Sequence, residues 1–436
     1  MHTHMKISRT ALLLILVTAS PSLAVNRDHI RELNQQAREY SKQKDWKSLL
    51  DIYNQLTREM GVPTPIHMLR VASAETHLGH TQEALRWMQR YAATGLTYDV
   101  STDDDLKPLL AEKDLAPIAA EMKEKSKPAT KAEIACTFPV LDIMPEDLTY
   151  EPSSKTFIVS SVQHHTLYRV TLPNKGESEC GVKEIPLEDA AKRWPTMAVS
   201  IDTTRHLLWM TAAAMPGFEG FPKEDSGKTS LFALNLDNGK IVRRFDLDAV
   251  GPAALGDMSV TADGTVYVTD GFGGVVYQVR GALETAKLEM IANGFFSPQT
   301  PVLAKDGKRL FVADYGLGIA AINLDTGKAD YLKHPENIAV TGLDGLHLAG
   351  DSLLGVQNGT APERIVRYHL NPQQTEITGQ EIIEQGPRIG DPTHIVTVDG
   401  MAYATANVGW DKVGDNGKLK DGANFTAPTL MRFSLK

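Results

Sequence analysis

A repeated pair of positions constrains the fold of this chain more than any other feature of its sequence. Six residues each stand seven positions before a turn residue; the pairs are Glu146 and Ser153, Pro195 and Asp202, Gly256 and Asp263, Gln299 and Asp306, Asp344 and Asp351, and Pro392 and Asp399. A short apolar run lies inside each pair, and a second apolar run follows each turn. Six such two-strand units, repeated every ~45–60 residues, predict a mainly β fold, a six-bladed β-propeller.

The same repeat predicts where functional residues gather. The first strand of each blade lines the central channel of a propeller, and Asp-Gly pairs at 263–264, 306–307 and 399–400 suit a tight turn at one mouth. Residues seven positions earlier, and the ends of the second strands, then lie at the opposite mouth. We call this mouth the rim, and its predicted members are Glu146, Asp147, Asp257, Asp270, Gln299, Asp314, Asp344, Gln357 and Asn358.

The first 24 residues have the pattern of a cleaved signal peptide. Lys6 and Arg9 precede an apolar run over 11–17, and Ser22-Leu23-Ala24 supplies small residues before the expected cleavage. The apolar run is too short to span a bilayer, and no other stretch is long and apolar enough for membrane insertion. We therefore expect an exported, soluble protein, periplasmic if the source is a Gram-negative bacterium.

The charge of the chain argues against nucleic acid as a partner. Removing Lys6 and Arg9 takes the formal net charge from −9 to −11, and the acidic residues are dispersed. An acidic surface repels phosphate backbones and anionic membranes, whereas it is compatible with cation binding.

Two cysteines, Cys136 and Cys180, flank the first blade. In an oxidising compartment such a pair favours a disulfide over two separate thiols, although the sequence leaves both open. The spacing does not suit a cysteine zinc site.

Helical periodicity replaces the strand pattern over 25–121, and 122–132 reads as a linker to a propeller over 133–436. Leu78-Gly79-His80 separates two apolar stripes, and this segment resembles a tetratricopeptide repeat. Two interpretations remain open: a helical cap on the propeller, or a module that docks a protein partner.

The propeller segments resemble the SMP-30/gluconolactonase-like family. The resemblance rests on residues 145–152, 255–270, 298–314 and 343–346, in that order along the chain. It implies a divalent cation at the channel mouth, held by a Glu, two Asn and an Asp. By position the Glu is Glu146 and the Asp is Asp344, while the Asn positions hold Gly256 and Gln299. The implied metal ligands are therefore Glu146, Asp344 and Gln299.

Physical chemistry favours a cation at the rim independently of that resemblance. Carboxylates that face one another across a channel repel unless a cation or a proton is taken up, and oxygen ligands favour Ca²⁺, with Mg²⁺ or Mn²⁺ as alternatives. The resemblance to the gluconolactonase-like family further implies a lactone or ester hydrolase, in which we expect Asp344, Asp270 or Asp314 to activate a water molecule. The alternative roles are structural. Asp270 and Asp314 stand at strand ends, where an Asp can cap backbone amides. Asp147 and Asp257 occupy equivalent positions in different blades, which we call a column, and this column also suggests backbone capping.

Further rim residues are predicted to contact a ligand, namely Gln299, Gln357, Asn358, His394 and Asp257. His394 has a packing alternative, and Asn358-Gly359 has a turn alternative. The insertion at 215–227 in the second blade is either a lid or a surface loop, and the last blade also has a long loop over 410–425. The second functional interpretation is a non-catalytic propeller that binds a sugar-like ligand or a protein.

Overall fold

The computed structural model describes the backbone of residues 27–436 and the side chains of residues 29–436. The predicted signal peptide lies outside the described residues. The chain begins with a helical domain made of α1 (Arg27–Gln43), α2 (Trp46–Met60), α3 (Pro65–His77), α4 (Thr81–Ala93), 3-10 turns at Val100–Thr102 and Lys107–Ala111, and α5 (Leu115–Lys125). Apolar faces of α1–α4 pack together, and the cap residues Asp45 and Thr64 accept backbone amides at the starts of α2 and α3.

The rest of the chain is a six-bladed β-propeller, as the repeat predicts. Two short strands come first, β1 (Ala129–Thr130) and β2 (Glu133–Thr137). Blade 1 contains β3 (Leu148–Glu151), β4 (Thr156–Ser161), β5 (Thr166–Thr171) and β6 (Gly181–Glu184); blade 2 contains β7 (Thr196–Asp202), β8 (Leu207–Ala213), β9 (Thr229–Asn235) and β10 (Ile241–Asp246); blade 3 contains β11 (Leu255–Val260), β12 (Val266–Asp270), β13 (Val275–Val279) and β14 (Leu288–Asn293). Blade 4 contains β15 (Pro298–Leu303), β16 (Arg309–Asp314), β17 (Gly318–Asn323) and β18 (Ala329–Tyr331); blade 5 contains β19 (Leu343–Ala349), β20 (Ser352–Gln357), β21 (Arg364–Leu370) and β22 (Ile377–Gln385); blade 6 contains β23 (Ile395–Val398), β24 (Met401–Ala406) and β25 (Thr429–Ser434). The second strands of blades 1, 3, 4 and 5 end at Ser161, Asp270, Asp314 and Gln357, which are the predicted ends.

The N-terminal strand β2 closes the ring. It pairs antiparallel with β25 and becomes the outermost strand of blade 6. The predicted disulfide is confirmed: Cys136 in β2 is bonded to Cys180, next to β6 of blade 1. The bond therefore joins the last blade to the first across the point of closure.

The helical domain packs on blades 4 and 5. Ala339 joins the core formed by α3, α4 and α5, and Leu317 joins the core formed by α1–α3. Across the seam, the Thr97 amide donates to the Ala361 carbonyl at 2.7 Å, and Arg90 forms an ion pair with Glu336. The helical domain therefore sits beside one mouth of the channel rather than apart from the propeller.

The expected linker is shorter than the sequence suggested. Residues 122–125 form the last turn of α5, and β1 adds a fifth strand to blade 5 by pairing with β22. The Gln385 amide donates to the carbonyls of Lys125 and Lys127, which ties this connection to the propeller. Among residues 27–436, no helix combines the length and apolar character needed to cross a membrane.

Candidate functional site

The central channel is a cavity of about 470 Å³, lined by the inner strands of all six blades. Asp147, Thr300 and His394 line it at the end where the inner strands begin. Four acidic side chains, Glu146, Asp147, Asp257 and Asp344, meet His394 at this end, and every one of them is less than 10 % exposed. We call these five residues the rim cluster.

A repeated β-bulge explains how side chains at non-equivalent positions of different blades come together. The pairing of the first and second strands shifts register between Leu255 and Met258, and between Leu343 and Leu346, with similar shifts in blades 2 and 4. A bulge interrupts the two-residue alternation of a strand and re-aims the side chains beside it. Asp257 and Asp344 can therefore approach each other although they occupy adjacent columns.

His394 is held at both ring nitrogens. Its Nδ1 lies 3.0 Å from the Glu146 carbonyl oxygen, so Nδ1 carries a proton and donates it. Its Nε2 lies 3.0 Å from Thr300 Oγ1 and 3.4 Å from the nearer carboxylate oxygen of Asp257. The His394 Nε2 thus faces the carboxylates. Because both ring nitrogens make polar contacts, packing alone does not account for His394.

A glycine permits this arrangement. A Cβ built on Gly345 would lie 2.5 Å from the Thr393 carbonyl oxygen and 3.0 Å from the His394 Cα. Only glycine lets β19 approach blade 6 this closely, which brings Asp344 beside His394.

The remaining contacts of the cluster come from neutral donors. The Asn358 amide donates to the Asp344 carboxylate at 2.6 Å, and the Tyr315 hydroxyl donates to Asn358 Oδ1 at 2.9 Å. Thr300 Oγ1 lies 3.0 Å from the Asp257 carboxylate, and the Trp410 indole N–H donates to the Glu146 carboxylate. Neutral donors orient these carboxylates but do not neutralise them.

Burial and mutual repulsion keep protons on the cluster. Burial, followed by the charge of Asp257, raises the pKa of Asp344 to about 7. Burial and Asp344 raise the pKa of Glu146 well above its ordinary range. Burial alone would lower the pKa of His394, but Asp147 and Asp257 outweigh it, and that pKa lies well above its ordinary value. A positive charge bound at the rim cluster would therefore be strongly stabilised.

Asp147 has the structural role that its column suggested. Its carboxylate accepts the backbone amides of Leu148, at 2.6 Å, and of Val199 in the next blade, at 2.9 Å. It thereby ties blade 1 to blade 2 and also adds charge beside His394. The Asp257 carboxylate, in the same column, accepts the Thr300 hydroxyl and lies beside His394 instead of capping backbone amides.

Asp270 and Asp314, two of the three side chains expected to activate water, make structural contacts instead. One Asp270 oxygen accepts the amides of Ala254, Phe272 and Gly273 at 2.9–3.1 Å. Asp314 accepts the amides of Phe296 and Ser297 and the hydroxyl of Tyr331. These bonds join each strand end to the neighbouring loop, so both carboxylates fit the capping alternative and not the catalytic one.

Two predicted amide ligands are also engaged elsewhere. Gln357 is fully buried; its amide donates to the carbonyls of Ala339 and Thr341, and its oxygen accepts Arg364 Nε at 2.7 Å. Gln299 donates to Ser297 Oγ at 3.0 Å. Asn358, in contrast, contacts the cluster directly, through Asp344. The ligand-binding expectation thus has geometric support at Asn358, His394 and Asp257 and lacks it at Gln357 and Gln299.

The two insertions pack on each other beside the cluster. The ring of Phe218 lies 5.9 Å from that of Trp410, and the Glu219 amide donates to the Asn416 carbonyl at 3.0 Å. Both insertions join a small apolar core that contains Met144 and Met197. Since Trp410 also bonds Glu146, the insertions cover one side of the rim in the manner of a lid, while the helical domain stands at blades 4 and 5.

The metal ligands that the family resemblance implies are only partly present. Gly256 offers no side chain, and the Gln299 amide is turned to Ser297. A different set fits better: one ligand atom each from Asp257, Asp344 and His394 lie within 4.8 Å of one another, all three residues being buried. Nδ1 of His394 is anchored on a carbonyl oxygen, which is the usual outer contact of a metal-binding histidine. This group could hold a metal ion.

Comparison with known proteins gives similarity in fold only. No family model matches the sequence, and no curated protein matches it. Solved structures with some likeness include the PQQ-bound aldose sugar dehydrogenase of Streptomyces coelicolor, with 13% identity, a TM-score of 0.47, and coverage of 70% of this chain and 98% of that one. An oxidoreductase of Thermus thermophilus, described as a glucose dehydrogenase, has 14% identity, a TM-score of 0.46, and coverage of 69% and 98%. Virginiamycin B lyase of Staphylococcus aureus has 14% identity, a TM-score of 0.43, and coverage of 62% and 79%.

Proposed function

We propose that this protein is an exported propeller enzyme that binds one divalent cation on Asp257, Asp344 and His394 and hydrolyses a lactone or a related ester. The observation that carries the proposal is the convergence of these three buried ligand atoms within 4.8 Å. The disulfide across the ring closure supports export, because such bonds persist in oxidising compartments.

The charge of the rim cluster is the first argument for a cation. With all four carboxylates ionised and the imidazole protonated, −4 and +1, the formal charge of this almost fully buried group would be −3. Like charges removed from water must be compensated by protons or by a cation. Because His394 supplies at most one positive charge, a divalent ion that displaces its Nε2 proton is the more complete compensation.

The donor set shifts the expected metal. Ca²⁺ was expected from a set of oxygen ligands, but an imidazole with two carboxylates favours Mn²⁺ or Zn²⁺. Asn358 and Thr300 orient the two carboxylates, and the Glu146 carbonyl orients the imidazole.

The chemistry then follows from position. When bound, the cation would act as a Lewis acid that polarises the substrate carbonyl. With the cation offsetting the neighbouring negative charges, Glu146, which lies beside Asp344 and bonds Trp410, would take a proton from the attacking water and return it to the leaving alkoxide. Water adds to the carbonyl carbon, the C–O bond breaks, and the products are a hydroxy acid or an acid and an alcohol. This assignment moves the base from Asp344, now a ligand, to Glu146.

A non-catalytic, ligand-binding propeller is the second candidate. The observation that favours it is burial: Glu146 and Asp344 are 7 % and 8 % exposed, and Trp410 covers the former. In that case the rim cluster would bind a ligand or an ion without turnover.

Hydrolysis assays of the chelator-treated mature protein separate the two candidates. Lactones and aryl esters would be supplied with Mn²⁺, Zn²⁺, Ca²⁺ or Mg²⁺ in turn. We expect cation-dependent turnover that falls at least ~100-fold in Glu146→Gln and in His394→Gln. His347→Gln is the matched control, because His347 also lines the channel but bonds Thr397 instead of a member of the rim cluster. Absence of turnover with every cation, or equal loss in the control, would contradict the enzyme proposal.

A further inference from the structure

A second cavity lies between the helical domain and the propeller, beside the rim cluster. It has a volume of about 370 Å³, and we call it the interdomain pocket; Ile66, Leu69, Tyr91 and Tyr98 line it from the helical domain, and Thr341 and Asn358 line it from blade 5. Its helical wall is apolar and aromatic, with Tyr91 and Tyr98 edge to face at 6.1 Å. Its propeller wall is polar.

The pocket is connected to the site through one side chain. Asn358 lines the pocket and also donates a hydrogen bond to the Asp344 carboxylate at 2.6 Å. A ligand that fills the pocket therefore lies one side chain away from Asp344, with Asn358 between them.

The walls are held in place before any ligand binds. The Thr97 amide bonds the Ala361 carbonyl across the seam, the Tyr91 hydroxyl bonds the Thr97 carbonyl, and the Tyr98 hydroxyl bonds Asp103 at 2.5 Å. Pre-formed, mostly apolar cavities with a few polar groups are typical of small-molecule sites, and this volume is near the low end of their range. It suits a ring or a short chain rather than a helix or an extended peptide.

We propose that the interdomain pocket binds the apolar arm, an aromatic ring or a short acyl chain, of the lactone or ester that reacts at the rim cluster. This inference rests on the proposed function for the identity of the reacting group. It gives the helical domain a role in substrate selection: substrates with a phenyl-sized substituent are preferred to the unsubstituted ring.

The probes that test it are two lactams, which resemble lactones but resist hydrolysis. Calorimetry would compare γ-phenyl-γ-butyrolactam with γ-butyrolactam on the full mature chain, with and without Mn²⁺. Burial of the phenyl ring is expected to tighten binding by about 10- to 100-fold. Ile66→Trp fills the pocket from the helical side, and Thr360→Phe fills it from blade 5, so each should remove this advantage.

Leu110→Trp is the matched control, since Leu110 is also an exposed apolar residue of the helical domain, 54 % exposed against 46 % for Ile66, but does not line the pocket. It should keep the full preference for the phenyl compound. Equal binding of the two lactams, no binding of either, or an unchanged preference in both filled variants would overturn the inference.

The lactam calorimetry, taken together with the hydrolysis assay, separates this inference from the proposed function. A phenyl preference that both filled variants abolish, in a protein that hydrolyses no lactone or ester, would leave the pocket assigned and overturn the hydrolase. Cation-dependent hydrolysis without any phenyl preference would leave the hydrolase and overturn the pocket.

Discussion

Replacing Asp344 by asparagine should stabilise the metal-free protein at alkaline pH. Burial and Asp257 raise the pKa of Asp344 from 3.8 to about 7. Asparagine has nearly the shape of the neutral acid and can still accept the Asn358 hydrogen bond. The variant therefore removes an ionised group that the folded state disfavours, at the expense of a cation ligand.

The sign and the size of the effect follow from proton linkage. The unfolded chain releases this proton near its ordinary pKa and the folded chain near pH 7, so the folded protein binds more protons between these values. Its stability consequently falls as the pH rises through that window. A rise of the pKa from 3.8 to about 7 corresponds to a destabilisation of the folded state by roughly 4 kcal/mol at pH 8, of which roughly 1–2 kcal/mol remains at pH 5.

Thermal unfolding of chelator-treated protein at pH 5 and pH 8 measures the effect. At ~2 °C per kcal/mol for a domain of this size, Asp344→Asn should raise the Tm by ~5–8 °C at pH 8 and by much less at pH 5. The control is Asp351→Asn, in the exposed turn of the same blade, whose side chain is 81% exposed and should change little at either pH. An Asp344→Asn variant that is no more stable than the wild type at pH 8 would refute the argument that the rim cluster is under electrostatic strain.

Three further predictions concern the disulfide at the ring closure, Gly256 and the capping residue Asp270. The double variant Cys136→Ser, Cys180→Ser should lose up to ~4 kcal/mol of stability in denaturant unfolding, because the bond closes a loop of 44 residues; a loss below ~1 kcal/mol would show that strand pairing alone closes the ring. Gly256→Asn should tighten Mn²⁺ binding at least ~10-fold in calorimetry, relative to Gly256→Ala. Among the described residues, no atom beyond the two chain neighbours lies within 4 Å of a Cβ built at this position, and an amide oxygen suits the ion. Unchanged affinity would mean that this position does not face the ion. Asp270→Ala should cost ~2–4 kcal/mol in denaturant unfolding by orphaning three amides while the folded protein keeps its hydrolysis rate, whereas a selective loss of rate would restore Asp270 as a catalytic candidate.

The architecture was readable from the sequence because blade repeats impose a fixed distance between strand starts and turns. Asp270, Asp314 and Gln357 fall at strand ends as predicted, since apolar runs of period two and Asp-Gly turns are local signals. The pairing of β2 with β25 depends instead on contacts between the two ends of the propeller, which a local pattern does not encode. The sequence placed Cys136 and Cys180 around blade 1, but only the ring closure shows why a bond between them is useful.

The site was readable only in part, and the bulges are the reason. Strict alternation would turn Asp257 away from the column that contains Asp344, whereas the register shift brings both to His394. The repeated shift has no distinctive residue pattern apart from Gly345 and Gly256. Gln357 was misjudged for another reason: its partner, the buried Arg364, lies in the next strand and gives no signal at the position of Gln357.

Calorimetric titration of Mn²⁺ into the chelator-treated mature protein, with Zn²⁺, Ca²⁺ and Mg²⁺ for comparison, tests the central claim most directly. We predict one ion bound with a Kd of ~1 μM or tighter, accompanied by proton release, because the ligands must lose their protons. Binding should disappear in Asp257→Asn, Asp344→Asn and His394→Gln and persist in His347→Gln. No binding of any of the four ions, or binding that survives all three substitutions, would contradict a metal site at the rim and identify the His394 imidazolium as the cation of the cluster.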